Sequence, residues 1–298
     1  MSNIIFVGDT HLKGSAPISR CDDFSTAILN KLESLIQVAK NFNSDTIMLL
    51  GDVFDSHTTT LPYLAKVINT FKKIHSSGIT VYTIVGNHDI KNNRMDSLES
   101  SALGILISTG YVKLAPENLV IDNTVFRCFN YPEEIKSASE DDEYIVCVAH
   151  RYYEFGLSWD SLTREDLKSL NYDAMVLGHY HVPCDSITVE NTILYRPGSL
   201  SRCTSESYNK LRTPRVLVFN CLNHKAAYVN IQCESGDKVF TTTVEQNSNL
   251  CFSMKDLVKF ITSSYASSDL NIREYFAQLD IPYDCRVKIS DYLDNIGA

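Results

Sequence analysis

Ile79-Thr80-Val81-Tyr82-Thr83-Ile84-Val85-Gly86-Asn87-His88-Asp89 is an apolar, largely β-branched run that empties into a glycine, an amide, an imidazole and a carboxylate. Such a run reads as a buried strand ending in a loop. In α/β sheets, ligands sit at the loops that follow the carboxyl ends of strands. Asn87 offers a neutral oxygen and His88 an imidazole, both suited to divalent metals, and the same histidine can instead handle a proton. Taken alone, the tetrapeptide is also ordinary turn chemistry. The rest of the chain decides between these readings. Asn3 to Val7 leads into Gly8-Asp9-Thr10-His11, and Thr46 to Leu50 into Gly51-Asp52-Val53-Phe54-Asp55. Tyr144 to Ala149 leads into His150, and Ala174 to Leu177 into Gly178-His179-Tyr180-His181. Five strand ends therefore carry Asp, His or Asn at their tips, and strands lying side by side would gather those tips around one site. Residues i and i+2 of an extended segment point the same way, which gives Asp9-x-His11 and His179-x-His181 a physical basis as ligand pairs.

The spacing of apolar residues between these strands predicts helices. Phe24, Ile28, Leu32, Leu35, Ile36 and Ala39 recur at three- and four-residue intervals behind the capping residues Asp22 and Asp23. Leu64, Val67, Ile68 and Phe71 do the same up to Gly78, and a third helix is expected over Asp96 to Ile107. Alternating strands and helices imply parallel strands with helices packed on the sheet. From Tyr111 the pattern changes to short strands and turns, with a capped helix from Thr163 to Leu170. Ile187 to Val189, Ile193 to Tyr195 and Val216 to Phe219 are expected to complete a second, mostly antiparallel sheet. The predicted fold is α/β, a four-layer sandwich of two mixed sheets flanked by helices. A small C-terminal α+β appendage is expected to follow. The core is expected over 1–220, and 221–298 is expected to hold a hairpin, with Ala227 to Ile231 against Val239 to Val244, followed by short helices as a capping or partner-docking region.

Composition bounds the function. A chain of 298 residues, 44% apolar and 21% charged, buries a sizeable core and suits one large domain with or without a small appendage. No run of eighteen apolar residues and no basic leader occur, so neither a membrane partner nor a signal peptide is expected and the predicted location is cytoplasmic. Nine cysteines, an odd number without a C-x-x-C pair, read as reduced thiols. A net charge of −9 argues against a broad basic surface. Against that, Arg196 to Arg215 holds five cations and the single acid Glu206.

The series Asp9-x-His11, Gly51-Asp52-x-x-Asp55, Gly86-Asn87-His88-Asp89, His150 and Gly178-His179-x-His181 resembles the calcineurin-like metallophosphoesterase superfamily, up to about residue 181. The resemblance implies the same four-layer architecture and a dinuclear centre: Asp9, His11 and His181 on one divalent ion, Asn87, His150 and His179 on the other, and Asp52 bridging. It implies manganese as the ion, with magnesium, iron or zinc as alternatives, and His88 as the proton donor to the leaving oxygen, oriented by Asp55. Protein Ser/Thr phosphatases of the superfamily carry Arg-Gly after the position of Asp55, and Ser56-His57 stands here instead. Gly51 to Asp55, Thr83 to Asp89 and Tyr195-Arg196-Pro197-Gly198-Ser199-Leu200 resemble the SbcD type of DNA double-strand-break repair nuclease, bacteriophage relatives included. That implies a metal-dependent exo- or endonuclease with DNA as substrate, an SbcC-like SMC-type ATPase as partner, and a homodimer. Arg202 and Arg212 are expected to line its DNA groove. The competing readings are a small-molecule phosphodiesterase or phosphatase of the same superfamily and a non-enzymatic scaffold; against the scaffold, every ligand position is filled.

Overall fold

The structure, a computed structural model, describes residues 2–138, 144–154 and 160–241. The architecture below is that of the compact unit formed by Met1–Tyr152 and Leu162–Thr241. Its strands are β1 (Asn3–Val7), β2 (Ser44–Leu49), β3 (Thr80–Thr83), β4 (Val112–Leu114), β5 (Asn118–Ile121), β6 (Thr124–Phe129) and β7 (Ile145–His150). After the two-residue strands β8 (Tyr152–Tyr153) and β9 (Ser161–Leu162) come β10 (Ala174–Gly178), β11 (Cys184–Val189), β12 (Thr192–Arg196), β13 (Arg215–Asn220) and β14 (Ala226–Asn230). The first sheet has the order β14-β13-β1-β2-β3-β4 and the second β11-β12-β10-β7-β6-β5.

In the first sheet β1 to β4 are parallel, with β13 antiparallel to β1 and β14 to β13. In the second sheet β12, β10, β7 and β6 are parallel, and the hairpin partners β11 and β5 close its edges antiparallel. Two expectations are corrected here. Val216 to Phe219 pairs with β1 in the first sheet, and the second sheet has a parallel centre. Likewise Ala226–Asn230 continues the first sheet against β13, while Gly236–Val239 forms a short helix, so the hairpin expected between these segments is not formed. The helices expected beyond Met254 lie outside the described residues.

Strand alternation sorts the core into two layers. Ile4 and Phe6 of β1, with Met48 and Leu50 from β2 and its end, face Phe126, Val146, Val148 and Val176 of the opposite sheet, and all are buried. Ile5, Val7, Ile47, Leu49 and Val81 face the other way, against the helices α1 (Phe24–Asn41), α2 (Leu61–Ser76) and α3 (Ala102–Ser108). The third helix is shorter than its spacing predicts, because Met95–Ser100 winds as a 3-10 segment and Ser101 caps a fresh start, accepting a hydrogen bond from the Gly104 N–H. The helix α4 (Arg164–Leu170) carries the expected capping box, with Thr163 and Asp166 each bonding the other's backbone N–H, and packs against β11. Two short helices, α5 (Ser207–Leu211) and α6 (Gly236–Val239), follow.

Asp23 caps α1, accepting from the backbone N–H of Thr26 and from the hydroxyls of Thr26 and Ser25. These bonds, the Thr26 hydroxyl first, hold its carboxyl at about 2 against the usual 3.8. Asp23→Ala is expected to lower stability by about 1 kcal/mol at pH 7. A carboxyl depressed on folding stabilises above its unfolded pKa and loses that contribution as pH falls through the folded one. The gap between variant and wild type should therefore close between about pH 4 and about pH 2 in urea titrations.

Candidate metal centre

Parallel β1, β2 and β3 bring Asp9, Asp52 and Asn87 to one end of the first sheet, and parallel β7 and β10 bring His150 and His179 to the same end of the second. The five tips thus come from two facing sheets. The two edges are tied where His150 Nδ1 donates to the carbonyl of Leu50 at 2.8 Å. That bond fixes the ring so that Nε2 carries the lone pair toward the site.

The loops approach one another so closely that particular residues are required. A Cβ on Gly86 would stand 2.1 Å from Asp52 Oδ1, and a Cβ on Gly8 would stand 2.2 Å from the carbonyl oxygen of Gly198. The Pro197 to Leu200 segment, known from the sequence only as a motif, buttresses the ligands. Leu200 N–H donates to the carbonyl of Asp9 at 3.1 Å and Ser199 N–H to that of His181 at 3.0 Å. His11, Asp52 and His179 adopt left-handed backbone conformations at φ 41°, 47° and 81°. Non-glycine residues are held in that region only where their surroundings over-determine them, commonly at functional sites.

Three overlapping groups of side chains converge: Asp9 with His11 and His181; His11 with Asp52 and His88; and Asp52 with His150 and His179. Asp52 Oδ2 lies 3.3 Å from His150 Nε2 and 3.9 Å from Nε2 of both His11 and His88. Asn87 Oδ1 is 3.1 Å from His150 Nε2, and the Nε2 atoms of His11 and His181 face each other at 2.9 Å. Asp9 accepts the His179 N–H on both oxygens, at 3.1 and 3.2 Å. The donor set fits divalent cations. Asp52 Oδ2 is buried without a hydrogen-bond donor, and lone-pair nitrogens pointing at one another need a cation between them.

The electrostatics agree. Burial lowers His11 well below the usual histidine value, and the neighbouring His181 and His88 add to it, so the ring is the neutral form that binds metals. Burial opposes the charge on Asp52, yet His150, His88 and His11 outweigh it and hold the carboxyl well below its usual range. Burial also opposes a charge on His150, but Asp52 above all, with Asp9 and the Leu50 carbonyl, raises it to about 9.

His88 Nδ1 donates to the backbone carbonyl of Asp55 at 2.8 Å. The Asp55 carboxylate turns instead to Lys13, 2.7 Å from its Nζ. Asp55 therefore meets His88 through its main chain and not, as expected, through its acid. Sequence reasoning gave no role to Asp89, which is fully buried and accepts N–H bonds from Gly86, Phe54 and Val53 at 2.9, 3.1 and 3.3 Å. It clamps the Asp52 loop to the Asn87 loop. Burial, with the charge of Asp52 in the same direction, pushes its carboxyl up to about 7 against the pull of those N–H bonds. The expectation that Arg202 and Arg212 line a groove is corrected. Arg202 is 2% exposed and donates to the carbonyls of Asn209, Arg212 and Glu234, while Arg212 donates to those of Ser199 and Ser201.

The model of the calcineurin-like phosphoesterases matches residues 2–183. The chain belongs to this family. It is 24% identical over 229 residues to the DNA double-strand break repair protein Mre11 of Haloferax volcanii, covering 72% of this chain and 48% of that protein. It is 25% identical over 237 residues to the protein of the same name from Methanosarcina acetivorans, covering 73% of this chain and 36% of that one. Exonuclease subunit 1 of Enterobacteria phage T4 is 24% identical over 202 residues, 62% of this chain and 57% of the subunit. The chain thus spans little more than half the length, or less, of these curated relatives. Among the described residues no helix is long and apolar enough to cross a membrane.

Asp89→Ala strands three buried N–H groups and should lower stability by about 3 kcal/mol, read from urea midpoints. An unchanged midpoint would show that the loops hold each other without the clamp.

Proposed function

We propose that the chain is a metal-dependent DNA nuclease of the SbcD type, working in the cytoplasm in repair or recombination. The observation that carries this reading is the sharing of Asp52 between two ligand groups, as a centre for two ions requires. The similarity to Mre11 proteins and to the phage exonuclease subunit supports DNA as the substrate. Asp9, His11 and His181 would hold one ion, Asn87, His150 and His179 the other, and Asp52 would bridge. Manganese is the proposed metal, with magnesium, iron and zinc as the other candidates. Bound divalent ions supply the positive charge that lowers the pKa of water and stabilises developing charge on phosphoryl oxygens.

The protein's own part is positioning and proton transfer. Leu50 and Asp55 fix the rings of His150 and His88 through their carbonyls. With its Nδ1 proton so engaged, His88 presents Nε2 to the site on a side chain 31% exposed, where a protonated ring can donate to the leaving oxygen. Asp55 is the orienting residue for that donor through its carbonyl. An SbcC-like SMC-type ATPase is the proposed partner and a homodimer the proposed assembly, with a capping or docking region in 221–298. A second reading, a small-molecule phosphodiesterase or phosphatase, is favoured by the net charge of −9 and by the inward burial of Arg202.

Release of nucleotides from end-labelled duplex DNA with manganese is the test, with a small aryl phosphodiester alongside. Wild type should cleave both and lose both activities in chelator, and Asp52→Ala should cleave neither. Hydrolysis of the aryl ester alone would move the function to small molecules. His88→Asn should keep its metal content while turnover falls by about 10²–10⁴-fold. Loss of metal from that variant would make His88 a ligand instead of an acid.

A further inference from the structure

Behind the metal centre, between α1 and the 200–204 and 232–239 segments, lies a cavity of ≈ 270 Å³ lined by Arg20, Lys31 and Arg202, with Asn30 and Gln232 at its exposed rim. Lys31 is 6%, Arg20 7% and Arg202 2% exposed. Two acids line the same cavity, and both are already engaged. Asp22 is gripped by Arg20 through two bonds of 2.7 and 2.6 Å, and Glu234 pairs with Lys238 at 3.0 Å. Lys31 has no carboxylate partner among the described residues. Its ammonium donates to the carbonyl of Leu200 at 3.1 Å, which uses one of its three protons. Arg202 likewise meets only carbonyls, and its Nε is buried with no acceptor.

Buried cations are ordinarily paired, because removing a charge from water costs several kcal/mol unless a counter-charge replaces the solvent. The strain registers at Lys31. Burial above all, with Arg202, Arg20 and Arg212 nearby, lowers its ammonium from 10.5 to about 7. Cations gathered with spare donors around a cavity form the complement of a multiply charged oxyanion, whose oxygens accept several charge-assisted bonds at once.

We propose that this cavity binds a phosphate group, either free inorganic phosphate or the terminal phosphate of a mononucleotide, through Lys31 and the Nε of Arg202. The site does not depend on the metals or on the nuclease reading. It touches the metal centre indirectly, because the carbonyl that Lys31 holds belongs to Leu200, whose N–H donates to the carbonyl of Asp9.

The experiment is thermal unfolding and calorimetry of the full chain in chelator, with inorganic phosphate and a 5′-mononucleotide in separate arms and chloride at equal ionic strength as reference. At roughly a hundred times the dissociation constant, phosphate should raise the unfolding midpoint of wild type by on the order of 5 °C over chloride. Lys31→Met removes a buried unpaired charge, so it should unfold no lower than wild type in chloride while binding phosphate at least about tenfold more weakly. Asn30→Glu, at the exposed rim, should abolish the phosphate shift by repulsion and decides the matter if Lys31→Met does not fold. A larger shift with the mononucleotide assigns the source as a nucleotide, and equal shifts assign it as free phosphate. No phosphate-specific shift in wild type, or an undiminished shift in Asn30→Glu, overturns the proposal.

Discussion

The buried carboxylate of Asp52 is the constraint around which the rest of the site is arranged. An ionised acid 1% exposed is tolerable only beside positive charge, and three imidazole nitrogens stand within 3.9 Å of its Oδ2. Imidazoles can meet that demand with protons or with metal ions. The neutral state that burial imposes on His11 favours ions there, whereas His150 is pushed toward holding a proton. Ion binding at His150 must therefore displace a proton, which couples the centre to pH.

Holding four loops at these distances requires the backbone groups they carry to be satisfied locally. Asp89 satisfies three N–H groups, the carbonyl of Asp52 accepts from Thr10 and His11, and the 197–200 segment supplies donors to Asp9 and His181. Each bond fastens a ligand loop to another ligand loop, so the ligand geometry follows from contacts that never touch the reacting atoms. The left-handed conformations at His11, Asp52 and His179 persist because this lattice of bonds leaves the chain no other path.

The ligands were legible in the sequence because strand alternation and strand-end loops leave a local signature, and the Asp-x-His and His-x-His spacings fall on consecutive strand tips. The helix α1 was legible for the same reason, down to its Asp23 cap. Sheet membership was not. Arg215–Asn220 is a short apolar strand that suits either sheet, and its place beside β1 depends on contacts some two hundred residues apart, such as Asn3 with Asn220. The roles of Asp89 and of the Asp55 carbonyl were hidden for a different reason. Both act on main-chain atoms, which every residue possesses, so no side-chain pattern announces them. Arg202 and Arg212 misled because charge in a loop suggests a surface, while a guanidinium with five donors can equally well serve as the hub for carbonyls that a tight loop turns inward.

The two charged clusters of this chain obey one rule with opposite signs. On one side of the strand-end loops, carboxylates and imidazoles converge with acceptor atoms left over, and the complement is a cation. On the other side, Lys31 and Arg202 converge with donors left over, and the complement is an anion. The 199–202 segment separates them and bonds to both, to Asp9 through N–H groups and to Lys31 through a carbonyl. A peptide whose N–H is held by one cluster and whose carbonyl is held by the other is polarised by both, and such chains of hydrogen bonds reinforce each other. Filling one cluster then tightens the frame that shapes the other, so the two sites are linked through a single backbone segment even though no side chain belongs to both.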